Sequence, residues 1–228
     1  MAFGRKPPPE PPVEPVDWVR VRQFSVGTVE RPATAKRKRV GWGPSAVRVP
    51  KGGKDHRVLA PCAWLGDSAQ HGLPSAPRLT LFADPERTRL LCYVEEGVDV
   101  AGEQHFAVRD GDGGHIGTLK RIPPKRPFRH TWRIEQPGHP EITGRNEWLS
   151  GDAKEIAGHA AGRAFSLALD AVTSFGNEGG DQPEKRRPLQ WRAEDKVVME
   201  SEGSKTVTVK ADWVDRRLAF AFALVGDD

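Results

Sequence analysis

The stretch that most limits what this chain can fold into runs from Asp212 to Val225: Asp-Trp-Val-Asp-Arg-Arg-Leu-Ala-Phe-Ala-Phe-Ala-Leu-Val. Leu and Ala favour helix and Phe is tolerated in one. Asp212 is read as the cap, with Asp215 three residues on in the place of a capping-box acid, and Gly226 is a stop signal. From Leu218 to Val225, eight residues, no polar side chain appears on any face. A helix apolar all round has to be enclosed. A bilayer span needs about 20 such residues, so the enclosure has to be protein. Trp213, Leu218, Phe220, Phe222 and Leu224 are therefore assigned to a core helix at about 212–225.

What can enclose it is set by the rest of the chain. Short β-branched and aromatic runs recur about every ten residues, separated by Gly, Pro and Asp. They include an extended run from Trp18 to Phe24, then Ala46–Val49, Arg57–Trp64, Arg78–Ala83 and Thr88–Glu95. The alternation of His105–Arg109 puts Phe106 and Val108 on one face, and that of Thr131–Glu135 does the same for Trp132 and Ile134. Between them lie the turn Asp110-Gly-Asp-Gly-Gly114 and a returning strand, His115–Ile122. After Pro137-Gly138 comes a strand from Glu141 to Trp148. Leu189–Arg192, Lys196–Glu200 and Lys205–Lys210 supply the last strands, with Val207 and Val209 on one face. This rhythm is that of an all-β sandwich or barrel. One segment departs from it. At 152–175, Ile156, Ala160, Ala164, Leu167 and Ala171 recur at helical spacing, which predicts an extra amphipathic helix, a helical insertion packed outside the sheet. Residues 1–15 hold six prolines and read as a flexible tail. Residues 16–228 read as a single domain.

The closing meander and the C-terminal segment together resemble the tubby-like superfamily, in its LURP-one-related and phospholipid-scramblase branch. The resemblance rests on the strand, Asp-Gly turn and Trp strand from Phe106 to Trp132, and on Val207 to Val225 with its Asp-Arg-Arg-Leu-Ala-Phe-Ala ending. It implies a closed antiparallel β-barrel of about twelve strands wrapped around the C-terminal helix. It also implies a link to phosphoinositide binding or lipid scrambling. No counterpart of the scramblase-type Ca²⁺ segment or palmitoylated Cys cluster is present.

Catalytic motifs are missing. Asp110-Gly-Asp112-Gly-Gly114 lacks the later ligands of a Ca²⁺ loop, since position 12 would be Arg121, and it reads as a hairpin turn. There is no Walker loop, nucleophile elbow or His-Glu-x-x-His, and the seven histidines are scattered without metal-ligand spacing. Only a triad assembled in space would make an enzyme. Cys62 and Cys92 lack CxxC context and read as buried free thiols. No cofactor is expected.

The remaining candidate is electrostatic. The chain carries a formal charge of +4 with a pI near 9.2. Lys36, Arg37, Lys38 and Arg39 form one basic block; Lys120, Arg121, Lys125, Arg126 and Arg129 surround a second, with Phe128 among them. A basic surface with an apolar tip would attract anionic headgroups. The expectation is a non-enzymatic binding module for an anionic lipid or membrane surface. The alternative is a protein-interaction or scaffold domain that uses the Pro-rich tail and the outer helix. Single-stranded nucleic acid suits the same chemistry but is less favoured. The N-terminus has no apolar signal region, so the expected address is the cytoplasm, with peripheral membrane association.

Overall fold

The computed structural model describes residues 11–66, 77–123, 131–146 and 188–226. The thirteen described strands are β1 (Gln23–Arg31), β2 (Gly41–Lys51), β3 (Val58–Gly66), β4 (Leu79–Phe82), β5 (Leu90–Val94), β6 (Val98–Val100), β7 (Glu103–Asp110), β8 (His115–Ile122), β9 (Thr131–Glu135), β10 (Ile142–Asn146), β11 (Pro188–Ala193), β12 (Lys196–Glu202) and β13 (Thr206–Val209). One α-helix is described, α1 (Arg216–Val225). Neighbouring strands pair antiparallel in the order β5-β4-β3-β2-β1-β13-β12-β11-β10-β9-β8-β7. A further pairing of β5 with β7, Cys92 opposite Asp110 and Val94 opposite Val108, closes the ring. Twelve strands thus form a closed barrel. The thirteenth, β6, hangs on the first residues of β7.

The barrel closes around α1. Leu218, Ala219, Phe220 and Ala221 have no accessible surface, and Phe222 has 1%. The wall meets the helix from several sides. Phe24 of β1 packs edge-on to Phe220 at 4.8 Å, while Trp132 of β9 and Trp191 of β11 hold Phe222 at 5.7 and 4.5 Å. Such edge contacts add to the transfer energy of the rings. Trp191, wholly buried, satisfies its indole N–H on Ser201 Oγ at 3.1 Å. At Gly117 of β8 the helix comes so close that a Cβ would lie 2.9 Å from the methyls of Leu218 and 2.4 Å from the Glu135 carbonyl oxygen. The alternation read from the sequence appears in the wall, with Phe106, Val108, Trp132, Ile134, Val207 and Val209 all buried.

The helix begins three residues later than its acids suggest. Asp215 is the cap, accepting from Arg217 N at 2.9 Å, and Asp212 lies outside. The intervening residues are needed to turn the chain from β13 into the barrel: Lys210 N and Ala211 N both donate to Val198 O, at 2.8 and 3.1 Å. Trp213 is therefore not in the core helix. It is half-buried at the barrel rim, stacked on His139 at 4.7 Å. Leu224 is in the helix but only partly buried. A second departure is at Trp18–Arg20, read as extended, which forms a 3-10 turn capped by Asp17. Residues 152–175 lie outside the described residues.

Two side chains tie the helix to its entrance. Gln136, in the turn after β9, donates from Nε2 to Trp213 O at 2.8 Å and accepts at Oε1 from Asp215 N at 2.9 Å. Arg216, 5% exposed, donates to the carbonyls of Val21 at 2.6 Å and Ala211 at 3.3 Å. A buried guanidinium needs such partners, and these carbonyls supply them. Its pKa is lowered by burial, with Asp212 opposing.

Phe220→Asp should abolish folding, because it would bury an unpaired charge among aromatic rings. Phe220→Ala should cost about 3–5 kcal/mol through the cavity it leaves. Urea denaturation followed by tryptophan fluorescence measures both, and an unchanged midpoint for either variant would place Phe220 outside the core.

Candidate functional site: a basic flap folded over the barrel wall

The far half of the β1–β2 hairpin does not continue along the barrel. Gly27 pairs with Ala46 but Val29 pairs with Trp42, so β2 has two extra residues there and bends. The bend lets Arg48, 1% exposed, reach three carbonyls: Gly27 O at 3.0 Å, Leu59 O at 2.9 Å and Pro44 O at 2.6 Å. Glu30 lies 3.5 Å from the Arg48 guanidinium and 2.5 Å from that of Arg31. Burial lowers the Arg48 pKa, and Glu30 opposes that shift. Gly43 leaves the room this cluster needs; a Cβ there would fall 2.6 Å from the Glu30 carboxylate and 2.7 Å from an Arg48 nitrogen. Val29, Leu59 and Val40 form a small separate core beneath the flap.

The connection between β1 and β2 is thereby laid against the turn between β2 and β3. Thr34 Oγ1 donates to Asp55 O at 2.9 Å, Lys36 Nζ lies 3.2 Å from His56 Nε2, and Arg37 donates to Arg57 O at 2.8 Å. Of the first predicted block, Lys36, Lys38 and Arg39 are exposed. Arg37 is half-buried and holds the loop together, also donating to Pro32 O. The contacts add Lys51, Lys54 and Arg57 to this surface, which sequence reading missed because they are 12 to 21 residues downstream in another turn. Residues 30–57 hold nine Lys and Arg against two acids, a charge of +7 in a chain of +4 overall, so the remainder is net acidic. Trp42, 67% exposed, stands on the same flap.

The second predicted block behaves differently. Lys120 is ion-paired with Glu135. Arg121 turns toward the barrel interior, with its guanidinium 5.9 Å from the Trp132 ring centre. Both are half-buried. Lys125, Arg126 and Arg129 lie outside the described residues. Strand direction alternates, so Lys120 and Arg121, near the end of β8, are at the opposite end of the barrel from the turn after β2, toward which the flap folds.

An open cleft of about 380 Å³ borders the helix entrance and is lined by His115, Thr118, Glu135, Gln136, His139 and Glu141. The sequence kept these histidines apart; the β7–β8 and β9–β10 turns bring them to one cleft. Its polar groups already have structural partners. His115 Nε2 is 3.1 Å from Thr118 Oγ1, Glu135 holds Lys120, Gln136 holds the helix start and His139 stacks on Trp213. Among the described residues, no group of three His, Cys, Asp or Glu side chains could hold a metal ion. In the Asp110 turn, the carboxylate accepts from Asp112 N at 3.0 Å and Gly114 N at 2.7 Å, so it organises the hairpin.

The free thiols Cys62 and Cys92 are buried, and burial pushes each up to about 12. They stay protonated and unreactive at neutral pH. No family model, curated protein or solved structure matches this chain.

The thiols make a pH prediction. Below about pH 9 the folded and unfolded chains both hold these protons, so stability does not depend on them. Above it the unfolded thiols ionise first, and stability falls as pH rises toward 12. A thiol-reactive chromogenic disulfide at pH 8 should label neither cysteine in the folded chain and both in urea. Rapid labelling of the folded chain would contradict their burial.

Proposed function

We propose that this chain is a tubby-like barrel that acts as a non-enzymatic binding module for anionic membrane surfaces, through the β1–β2 flap. The observation that carries this reading is the pairing of Lys38, Arg39 and Lys54, all exposed, with Trp42, the most exposed large apolar side chain among the described residues. Cations near a negatively charged leaflet gain about 1 kcal/mol each, and a Trp ring suits the headgroup boundary. A closed barrel around a C-terminal helix is the architecture that the tubby-like resemblance implies. No described helix is long and apolar enough to cross a membrane; on this reading the flap makes a peripheral association. The buried thiols and the structurally engaged polar groups of the cleft favour binding over catalysis.

Flotation with vesicles of neutral phosphatidylcholine, or of phosphatidylcholine with phosphatidylserine, tests the proposal. The chain should float only with the anionic vesicles and be released by salt. Lys38→Ala with Arg39→Ala should weaken binding by roughly thirty-fold, two near-surface charges at about 1 kcal/mol each. Trp42→Ala should weaken it further at high salt. Arg37 is left intact in this test because it holds the loop. Equal flotation with both vesicle types, or none with either, would reject the reading.

A further inference from the structure

Barrel closure pairs the twelve wall strands into a ring, while β6, outside the ring, is paired along β7 alone. β5 and β6 lie one after the other along the same side of β7: β5 covers Val108 to Asp110, and β6 covers Glu103 to His105. β5 has β4 on its other side. β6, among the described residues, has no strand there. A two-residue turn, Ala101 at φ 54° and Gly102 at φ 85°, joins β6 to β7. Positive φ at both places is the type I′ pattern, in which the residues flanking the turn, Val100 and Glu103, form the hydrogen-bonded pair. Backbone direction alternates along a strand, so Val98 and Val100 address β7 and the N–H and C=O of Asp99 face the open side.

The side chains match an incoming strand. Val98 and Val100 are 61% and 47% exposed and share one face, with Asp99 on the other. Exposed apolar residues on a free edge are a feature that sheet proteins ordinarily avoid. Residues 95–103 include four acids and no Lys or Arg. Glu95 is taken by Arg109 at 2.6 Å, Glu96 lies 3.9 Å from Arg78 and Glu103 lies 3.4 Å from His105, which leaves Asp99 as the carboxylate in the middle of the edge. Asp99 also accepts from Gly102 N at 3.0 Å, which holds the turn closed.

We propose that β6 is a docking edge for an extended peptide segment with an apolar–basic–apolar alternation. The segment adds to the sheet as a further strand, its main chain pairing with Asp99. Its basic side chain lies beside the Asp99 carboxylate, and its apolar neighbours cover Val98 and Val100. The site is separate from the basic flap in position and opposite to it in charge.

The test uses ¹⁵N-labelled full-length protein and two end-blocked peptides, Val-Lys-Val-Lys-Val and Val-Glu-Val-Glu-Val. The lysine peptide should shift the amide signals from Gly97 to Ala101 and the glutamate peptide should not. Asp99→Pro removes the outward N–H and should weaken binding by roughly ten-fold or more. Because that change also removes the contact to Gly102, Val98→Lys with Val100→Lys serves as a second variant that keeps the turn, and it too should lose the peptide. Lys38→Ala with Arg39→Ala should bind the peptide as the wild type does, whatever its effect on vesicles. Equal binding of both peptides, shifts confined elsewhere, or full binding by either β6 variant would overturn the proposal. So would concentration-dependent broadening of the β6 signals without peptide, which would make a second copy of the chain the occupant.

Discussion

Enclosure of one apolar helix is the constraint on which the rest of the structure depends. A ten-residue helix carrying Leu218, Phe220 and Phe222 cannot leave any face in water, so the sheet has to close completely around it. Closure in turn decides details far away. It removes the side chain of Gly117 where the helix passes, and directs Trp132 and Trp191 inward against Phe222. It also brings β5 against β7, strands not adjacent in sequence. The entrance needs polar partners, because the first N–H groups of a helix have none of their own. Asp215 and Gln136 supply them, and Arg216 fastens the first turn to the carbonyl of Val21.

A closed wall filled by the helix leaves little interior for a ligand, and on the proposed reading binding falls to the outer surface. The flap is held by the same device as the helix entrance, a buried arginine donating to backbone carbonyls. Arg48 does this beneath the flap and Arg216 at the rim. In each case the guanidinium fixes irregular backbone that no ladder could satisfy. The charges that remain available to a partner are the ones not used in this way: Lys38, Arg39 and Lys54 are exposed, while Arg37 and Arg48 are part of the framework.

The architecture was legible in the sequence because its signals are local. Strict alternation at Phe106 and Val108, and again at Trp132 and Ile134, reports a wall with one dry face. The apolar run from Leu218 to Val225 reports what lies behind it. The helix start was misread because Asp212 and Asp215 are both competent caps. The choice was made by the tight passage from β13 into the barrel, a tertiary demand. The site was only half legible. Lys36 to Arg39 stand out as a run, but their joining with Lys51 and Lys54 depends on the bend of β2, which no periodicity announces. Lys120 and Arg121 looked equivalent to that run, yet strand alternation puts one on Glu135 and the other over an inward-facing ring.

Placing the core helix after all thirteen described strands also fixes when the domain can exist. β1 finds its second neighbour only in β13, with Gln23 opposite Thr208, and Val21 receives Arg216 across 195 positions. Every earlier strand, including the aromatic faces of β7 to β9, has to wait with its dry side uncovered until residues 216–225 have been made. Ordering of the barrel thus waits for residues 216–225 to be synthesised, and long-range closure of this kind is slow. During that interval a nascent chain exposes adhesive strands whose natural cover does not yet exist, which makes it a natural client for factors that shield unfinished sheets.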